Sequence, residues 1–129
     1  MFSDNPDDDL DVLIEMHDAI IEASGGAKGI HDEHLLRSAL SRPLHSVMGK
    51  DAYGDVFDRA AALLHAIANN HGFRDGNKRT AMASATFYLA LDGRDIDFTN
   101  EEYEKFMVHV VKDKVAVEEV SLWLKEHAK

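Results

Sequence analysis

Apolar residues recur along this chain at the spacing of α-helices and not in the alternation of β-strands. In the first segment they fall three or four positions apart, which places them on one face of a helix. That face carries Leu10, Leu13, Ile14, His17, Ile20 and Ile21. Asn5, Pro6 and a run of three aspartates precede it, as is typical of a helix start, because negative charge stabilises the amino end. The glycines of "SGGAKG" predict its end.

The same periodicity predicts five further helices. They cover about residues 32–41, 56–70, 77–91, 100–112 and 115–127. The fourth has no charge between its first turn and Asp92 and is rich in Ala and Ser, so we expect it to be the buried centre. Residues 44–55 combine turn residues with short apolar pieces, which favours a loop or small hairpin acting as a mobile flap. The predicted fold is all-α, a compact bundle of about six helices around a central buried helix.

Composition and charge restrict the possible classes of function. The length of 129 residues and a hydrophobic share of 45% predict one domain, 1–129. With 24 acidic and 14 basic residues the net charge is -10, which opposes direct binding of nucleic acid or anionic lipid. No apolar run approaches the roughly 20 residues of a membrane span, and the acidic start does not resemble a secretory signal. There is no cysteine for a disulfide, and we expect a cytoplasmic protein.

The stretch "HGFRDGNKRT" places three cations where the fourth helix begins. Arg74, Lys78 and Arg79 lie near the positive end of the helix dipole, which repels them. Free N–H groups at a helix start bind anions, and a docked phosphate would make the same cations favourable. The stretch therefore predicts a local anion site in an otherwise acidic chain.

Four other residues in this stretch suggest phosphoryl-transfer chemistry. Gly76 lets the backbone approach a ligand, and the side-chain amide of Asn77 can bind a phosphate oxygen. Asp75 offers the hard oxygen that Mg²⁺ prefers. His71 continues the apolar face of the third helix, so we expect it to point inward at the helix end and, held at the rim of the site, to accept a proton from an incoming hydroxyl. Positioning and charge stabilisation are most of what phosphoryl transfer requires.

These residues resemble the signature of the Fic/Doc superfamily. Its Fic branch has the pattern H-x-F-x-[DE]-G-N-G-R-x-x-R, and this chain has "HGFRDGNKRTAM". Lys78 replaces the second glycine and Met82 replaces the distal arginine, a variant that resembles the death-on-curing (Doc) toxins. The segments "GGAKGIHDEHLLRSALSRP" and "AAALLHAIANNHGF" extend the likeness over most of the chain.

The resemblance implies a Fic fold and transfer of a phosphate-containing group from ATP to a protein hydroxyl with Mg²⁺. Fic enzymes mostly transfer AMP, whereas Doc toxins are kinases that phosphorylate a threonine of elongation factor Tu and arrest translation. Because Lys78 fills space and adds charge beside the anion site, we expect a reversed nucleotide and γ-phosphate transfer. The resemblance also implies residue roles. These are His71 as catalytic base, Asp75 as metal ligand, Gly76 and Asn77 as anion binders, and Lys78 and Arg79 as the cations that hold phosphate.

Several alternatives stay open at this point. AMP transfer is the second enzymatic hypothesis, and a non-catalytic nucleotide- or partner-binding module is the third. Thr80 either bonds phosphate or bonds the preceding helical turn, and His17 is interpreted as a core residue. The inhibitory pattern [ST]-x-x-x-E-[GN] of many Fic proteins is absent from the sequence. We therefore expect an external inhibitor, a small antitoxin whose disordered tail folds on this domain.

Overall fold

The computed structural model describes residues 2–129, and within them it contains six α-helices and one short β-hairpin. The helices are α1 (Pro6–Ser24), α2 (Glu33–Ser41), α3 (Val56–Asn70), α4 (Asn77–Leu91), α5 (Asn100–Lys112) and α6 (Val117–Glu126), with a 3₁₀ turn at Arg42–Leu44. This arrangement confirms the prediction of an all-helical bundle. Across residues 2–129, no helix combines the length and apolarity needed to cross a membrane.

Side chains cap the starts of α1, α2, α3 and α5, and the cap of α1 is the predicted Asn5. The Asn5 side chain accepts the N–H of Asp7 at 2.9 Å at the start of α1. Asp32 caps α2 in the same way. Thr99 and Glu102 form a reciprocal capping box at the start of α5. Each of these caps satisfies N–H groups that the helix itself leaves unpaired, and α1, α2 and α5 begin within one residue of the predicted positions.

The central helix is α3, and the prediction that α4 has this place is wrong. Five consecutive residues of α3, from 60 to 64, are fully buried, so the helix is enclosed on all sides. It packs against α2, α4, α5 and α6. By contrast, α4 leaves Phe87 and Leu91 exposed. The alanines of α3 have small side chains, which allows several neighbouring helices to approach its backbone closely.

The predicted small hairpin is confirmed between α2 and α3. Strands β1 (Ser46–Val47) and β2 (Lys50–Asp51) pair antiparallel. Met48 and Gly49 form the two-residue turn with φ values of 53° and 80°, which is the left-handed conformation of a type I′ hairpin. The Met48 side chain is 98% exposed. The hairpin therefore presents an apolar tip to solvent, while its action as a mobile flap stays a prediction.

A histidine between two carboxylates joins α5 to α6. His109 Nδ1 lies 2.6 Å from Asp113 Oδ2, and His109 Nε2 lies 2.7 Å from Glu119 Oε2. Only the doubly protonated ring donates to both carboxylates. The hydrogen bonds to Asp113 and then Glu119 raise the pKa of His109 above its ordinary value. The link between the two helices is therefore strongest when His109 is charged.

This pKa predicts the pH dependence of His109→Gln. Because the pKa is higher in the folded than in the unfolded state, the stabilisation is fully present below the unfolded pKa of about 6.5 and is lost as pH rises through the folded value. His109→Gln should lower the thermal unfolding midpoint at pH 5.5 more than at pH 8.5 or above. The exposed His45→Gln is the matched control and should show no such difference. A gap between wild type and His109→Gln that is equal at both pH values would contradict this prediction.

Candidate active site at the turn between α3 and α4

The turn from 71 to 76 directs His71 towards solvent. Helix α3 ends at Asn70, and His71 takes a left-handed backbone conformation with φ 54° and ψ 45°. Its side chain is exposed, so the prediction that it points inward is wrong. The helical periodicity used for that prediction stops at Asn70, and the left-handed residue turns the chain away from the helical face. As a result, the imidazole lies at the rim of the site, where a large acceptor can reach it.

Two surface cavities meet at His71. One has a volume of about 240 Å³ and is lined by His71, Arg74, Asp75, Gly76, Asn77 and Lys78, together with Ala68 and Val111. The other has a volume of about 400 Å³ and includes His71, Arg74 and His31. The first is smaller than the roughly 300 Å³ at the lower end of ordinary ligand pockets, so it fits only part of a nucleotide. Five of the six predicted site residues line this cavity, and Arg79 does not.

The amino end of α4 is open to an anion. Its N-cap is Gly76, with φ 76° and ψ 16°, and no side chain caps the first N–H groups. The positive φ favours glycine, and a Cβ at Gly76 would lie only 3.0 Å from Ile21 Cδ1, so the packing leaves little room for a side chain. The exposed Lys78 stands in the first turn of the helix. Unpaired N–H groups and one ammonium thus face the same small cavity, an arrangement that suits phosphate oxygens.

Asp75 is held as an ionised carboxylate beside this helix end. Its Oδ2 accepts the N–H of Ala27 at 3.1 Å, and its Oδ1 accepts the N–H of Gly76 at 2.8 Å. These two bonds, from Ala27 first, and the charge of Arg79 lower the pKa of Asp75. Each oxygen keeps a lone pair, and the side chain is 47% exposed, so the group fits a hard divalent cation. A phosphate that used the Gly76 N–H would replace the bond to Asp75.

Asn77 has a structural role that sequence reasoning missed. Its Oδ1 accepts the N–H of Phe73 at 3.1 Å, and its Nδ2 donates to the carbonyl of Phe73 at 2.9 Å. The Asn77 side chain thereby links the start of α4 to the backbone of Phe73 within the turn. One hydrogen of Nδ2 is left over for a ligand, so the predicted role as an anion binder stays compatible with this geometry. The sequence signal that could have indicated this role is the spacing of four residues between Asn77 and the apolar Phe73.

The two cations that follow Asn77 lie on different sides of α4. Successive residues of a helix are about 100° apart, so Lys78 and Arg79 cannot share one direction. Arg79 Nη1 donates to the Ser24 hydroxyl and, at 3.2 Å, to the carbonyl of Gly25. Its Nη2 lies 3.9 Å from Asp75. Arg79 thus links the turn to the end of α1 through hydrogen bonds. It lines an apolar groove and not the His71 cavity.

Thr80 lies in the first turn of α4, whereas His31 lies just before α2 and His34 in its first turn. The Thr80 hydroxyl is buried, and among the described residues it has no hydrogen-bond partner, so the bond to the preceding turn is not formed. Ser84, one turn later, does form such a bond, to the Thr80 carbonyl at 2.7 Å. His31 and His34 are exposed, and the described part of the chain contains no cluster of three candidate metal ligands around them.

Comparisons with known proteins give matches that include this turn. A family model described as the Fic/DOC family matches residues 7–89. The toxin Doc of Mycolicibacterium smegmatis is 43% identical over 90 residues, which cover 68% of this chain and 69% of that relative. The protein kinase doc of Escherichia phage P1 is 31% identical over 109 residues, which cover 84% of this chain and 85% of that relative. The family match begins in α1, includes the whole turn and ends within α4.

The bonds of Asn77 predict a stability cost for Asn77→Ala. The change leaves the buried N–H and carbonyl of Phe73 without their partner, which should lower the free energy of unfolding by about 1–3 kcal/mol. Urea unfolding followed by circular dichroism measures this loss. Asn100→Ala, at the exposed first position of α5, is the control and should change little. If Asn77→Ala unfolds at the wild-type urea concentration, the bonds to Phe73 do not hold the turn.

Proposed function

The chain belongs to the Fic/DOC family, and from this premise we propose that it is a Doc-type toxin. In this proposal the chain transfers the γ-phosphate of ATP to a serine or threonine hydroxyl of a target protein. Two relatives support this proposal, one named a toxin and the other a protein kinase. The observation that carries it is the position of the His71 imidazole and the Lys78 ammonium on one small cavity at the open amino end of α4.

In the proposed reaction, the hydroxyl oxygen of the target attacks the γ-phosphorus. A new oxygen–phosphorus bond forms while the bond from phosphorus to the bridging oxygen of ADP breaks, and ADP leaves. A ring nitrogen of His71 accepts the hydroxyl proton. Because His71 is exposed at the rim, the acceptor can be a side chain of a folded protein.

The phosphates are held by the residues around the helix end. Lys78 and the first N–H groups of α4 stabilise negative charge that develops on the phosphate oxygens. Asp75, which is kept ionised by its backbone hydrogen bonds, would hold Mg²⁺. The metal, when bound, neutralises phosphate charge. The cavity of about 240 Å³ accommodates phosphates better than a nucleoside, so we place the nucleoside outside it.

Two features favour γ-phosphate transfer over AMP transfer. Lys78 stands where the Fic pattern has its second glycine and adds a side chain at the cavity. Met82, which stands where that pattern has an arginine, is 4% exposed and lines the apolar groove. By family resemblance, the proposed target is elongation factor Tu, and the proposed effect is arrest of translation. The β1–β2 hairpin with its exposed Met48 is the candidate surface for docking the target.

Labelled ATP tests the reaction. ATP labelled at the γ-phosphate should transfer label to elongation factor Tu, and ATP labelled at the α-phosphate should not. His71→Ala should lower the transfer rate by about 10²–10⁴-fold, because it removes the proton acceptor. His34→Ala, an exposed histidine on α2, is the control and should keep wild-type activity. Label from the α-phosphate would establish AMP transfer, and no label from either would favour a binding module.

We also propose that a small antitoxin controls this site from outside. An apolar groove of about 660 Å³ lies between α1, α4 and the segment leading into α5, and Arg79 stands at its edge. It is lined by Ile20, Met82, Ala83, Thr86, Phe87 and Tyr103, among others. The Phe87 ring packs edge-on against Phe2, with ring centroids 5.2 Å apart, and it is still 37% exposed at the groove. An amphipathic antitoxin tail would cover these side chains and place an acidic residue near Arg79.

Blocking the groove should separate inhibition from catalysis. Ala83→Arg adds a long charged side chain inside the groove, whereas Ala23→Arg adds the same side chain on an exposed position of α1 outside it. Expression of the chain alone should arrest bacterial growth. A small antitoxin whose co-expression restores growth for wild type should also restore it for Ala23→Arg, but not for Ala83→Arg. Equal rescue of both variants would place the antitoxin elsewhere.

A further inference from the structure

His17 lies inside the bundle, in direct contact with the turn that carries the proposed site. It stands in the middle of α1, and only 1% of its surface is exposed. Its Nε2 lies 2.7 Å from the carbonyl oxygen of Asp75, and its Nδ1 lies 3.1 Å from Asp18 Oδ1. A carbonyl oxygen only accepts, so Nε2 carries a proton and donates it. One of the two hydrogen bonds of this buried ring is therefore made to a backbone atom 58 residues away along the sequence.

The ring of His17 also fixes the position of Phe73. The two rings are stacked with centroids 3.8 Å apart and planes only 4° from parallel. Phe73 is in turn bonded through its backbone to Asn77, the first residue of α4. One face of the His17 ring therefore packs against Phe73, while Nε2 at its edge binds the carbonyl of Asp75.

The carbonyl that His17 holds belongs to the peptide between Asp75 and Gly76. That peptide is trans, so its carbonyl and its N–H point in opposite directions. Drawing the carbonyl towards α1 turns the Gly76 N–H away from α1, to where it meets the Asp75 carboxylate at 2.8 Å. A Cβ at Gly76 would lie 3.6 Å from the His17 ring, which shows how closely the two approach. The orientation of this one peptide therefore sets both the Asp75 side chain and the start of α4.

We propose that His17 is a positioning residue for phosphoryl transfer. By donating to the Asp75 carbonyl, it holds the Asp75 carboxylate and the first N–H groups of α4 in the directions needed for metal and phosphate. The inference rests on the proposed function, because it assigns His17 an effect on that site. Because only 1% of its surface is exposed, His17 would touch neither nucleotide nor acceptor, and its contribution would be made through the turn. A packing role alone would need the ring and not the hydrogen bond.

Two amide variants separate the hydrogen bond from the ring. His17→Gln places an amide nitrogen near the position of Nε2, and His17→Asn places one near the position of Nδ1. Both lose the stack on Phe73, so packing losses should lower their unfolding midpoints by similar amounts. Only the glutamine can still donate to the Asp75 carbonyl. His17→Asn should lower kcat for phosphate transfer from Mg²⁺–ATP by roughly ten- to a hundredfold relative to His17→Gln, with the KM for the acceptor unchanged.

Amide hydrogen exchange gives a second readout that needs no activity. The N–H groups of Ala27 and Gly76 both donate to the Asp75 carboxylate, so they report its position. In His17→Asn they should exchange about three- to tenfold faster than in His17→Gln. The exposed His34→Asn is the control and should match wild type. Equal exchange and equal kinetics in the two His17 variants would overturn the proposal.

The same readouts distinguish a failure of this inference from a failure of the proposed function. If wild type transfers no phosphate, the proposed function fails, and the exchange rates alone decide whether His17 positions the turn. Should both amide variants unfold, Asp18→Ala takes their place, because Asp18 is 52% exposed and the buried ring is kept. Loss of the Asp18 contact should then speed exchange at Gly76 by a few-fold. If the Gly76 N–H exchanges at the wild-type rate in Asp18→Ala, the proposal that His17 is held in one orientation and positions the turn is contradicted.

Discussion

The attachment of the α3–α4 turn to α1 is the constraint on which the rest of the site depends. A helix start without a side-chain cap leaves N–H groups unpaired, and such an end is tolerated only if its backbone is held by other contacts. Here α1 and the loop after it supply those contacts through His17, Ala27 and Gly25. The open N–H groups can therefore face a small cavity without destabilising the fold.

Local charge explains how an acidic chain can present the proposed anion site. The net charge is -10, yet two cations, Lys78 and Arg79, follow each other at one helix start. The helix separates them, so Lys78 borders the His71 cavity and Arg79 borders the apolar groove. Arg79 also approaches Asp75 at 3.9 Å. A ligand in the groove would thus act on a residue that contacts the proposed metal ligand, which couples the proposed inhibitor surface to the proposed active site.

Much of the fold was predictable because its signals are local. Helix α3 spans Val56–Asn70 and α5 spans Asn100–Lys112, in agreement with the predicted bounds, because caps and apolar spacing are read within a few residues. The choice of central helix was wrong, because α3 and α4 are both rich in alanine, and only the packing shows which is enclosed. The inward direction of His71 was wrong for a related reason, since a single left-handed residue interrupts the helical spacing.

The sequence by itself determined the six helices, the Asn5 cap of α1, the short loop or hairpin after α2 and the ten residues in which the candidate chemistry is concentrated. These properties follow from neighbouring side chains and backbone preferences, so they need no knowledge of distant contacts. Only the tertiary structure decided that Lys78 and Arg79 border different cavities and that Asn77 forms hydrogen bonds with the backbone of Phe73. It also decided that the Asp75 carbonyl accepts a hydrogen bond from His17. Those outcomes depend on where α1 lies against α4, because residues 58 positions apart meet there through packing that no local pattern encodes.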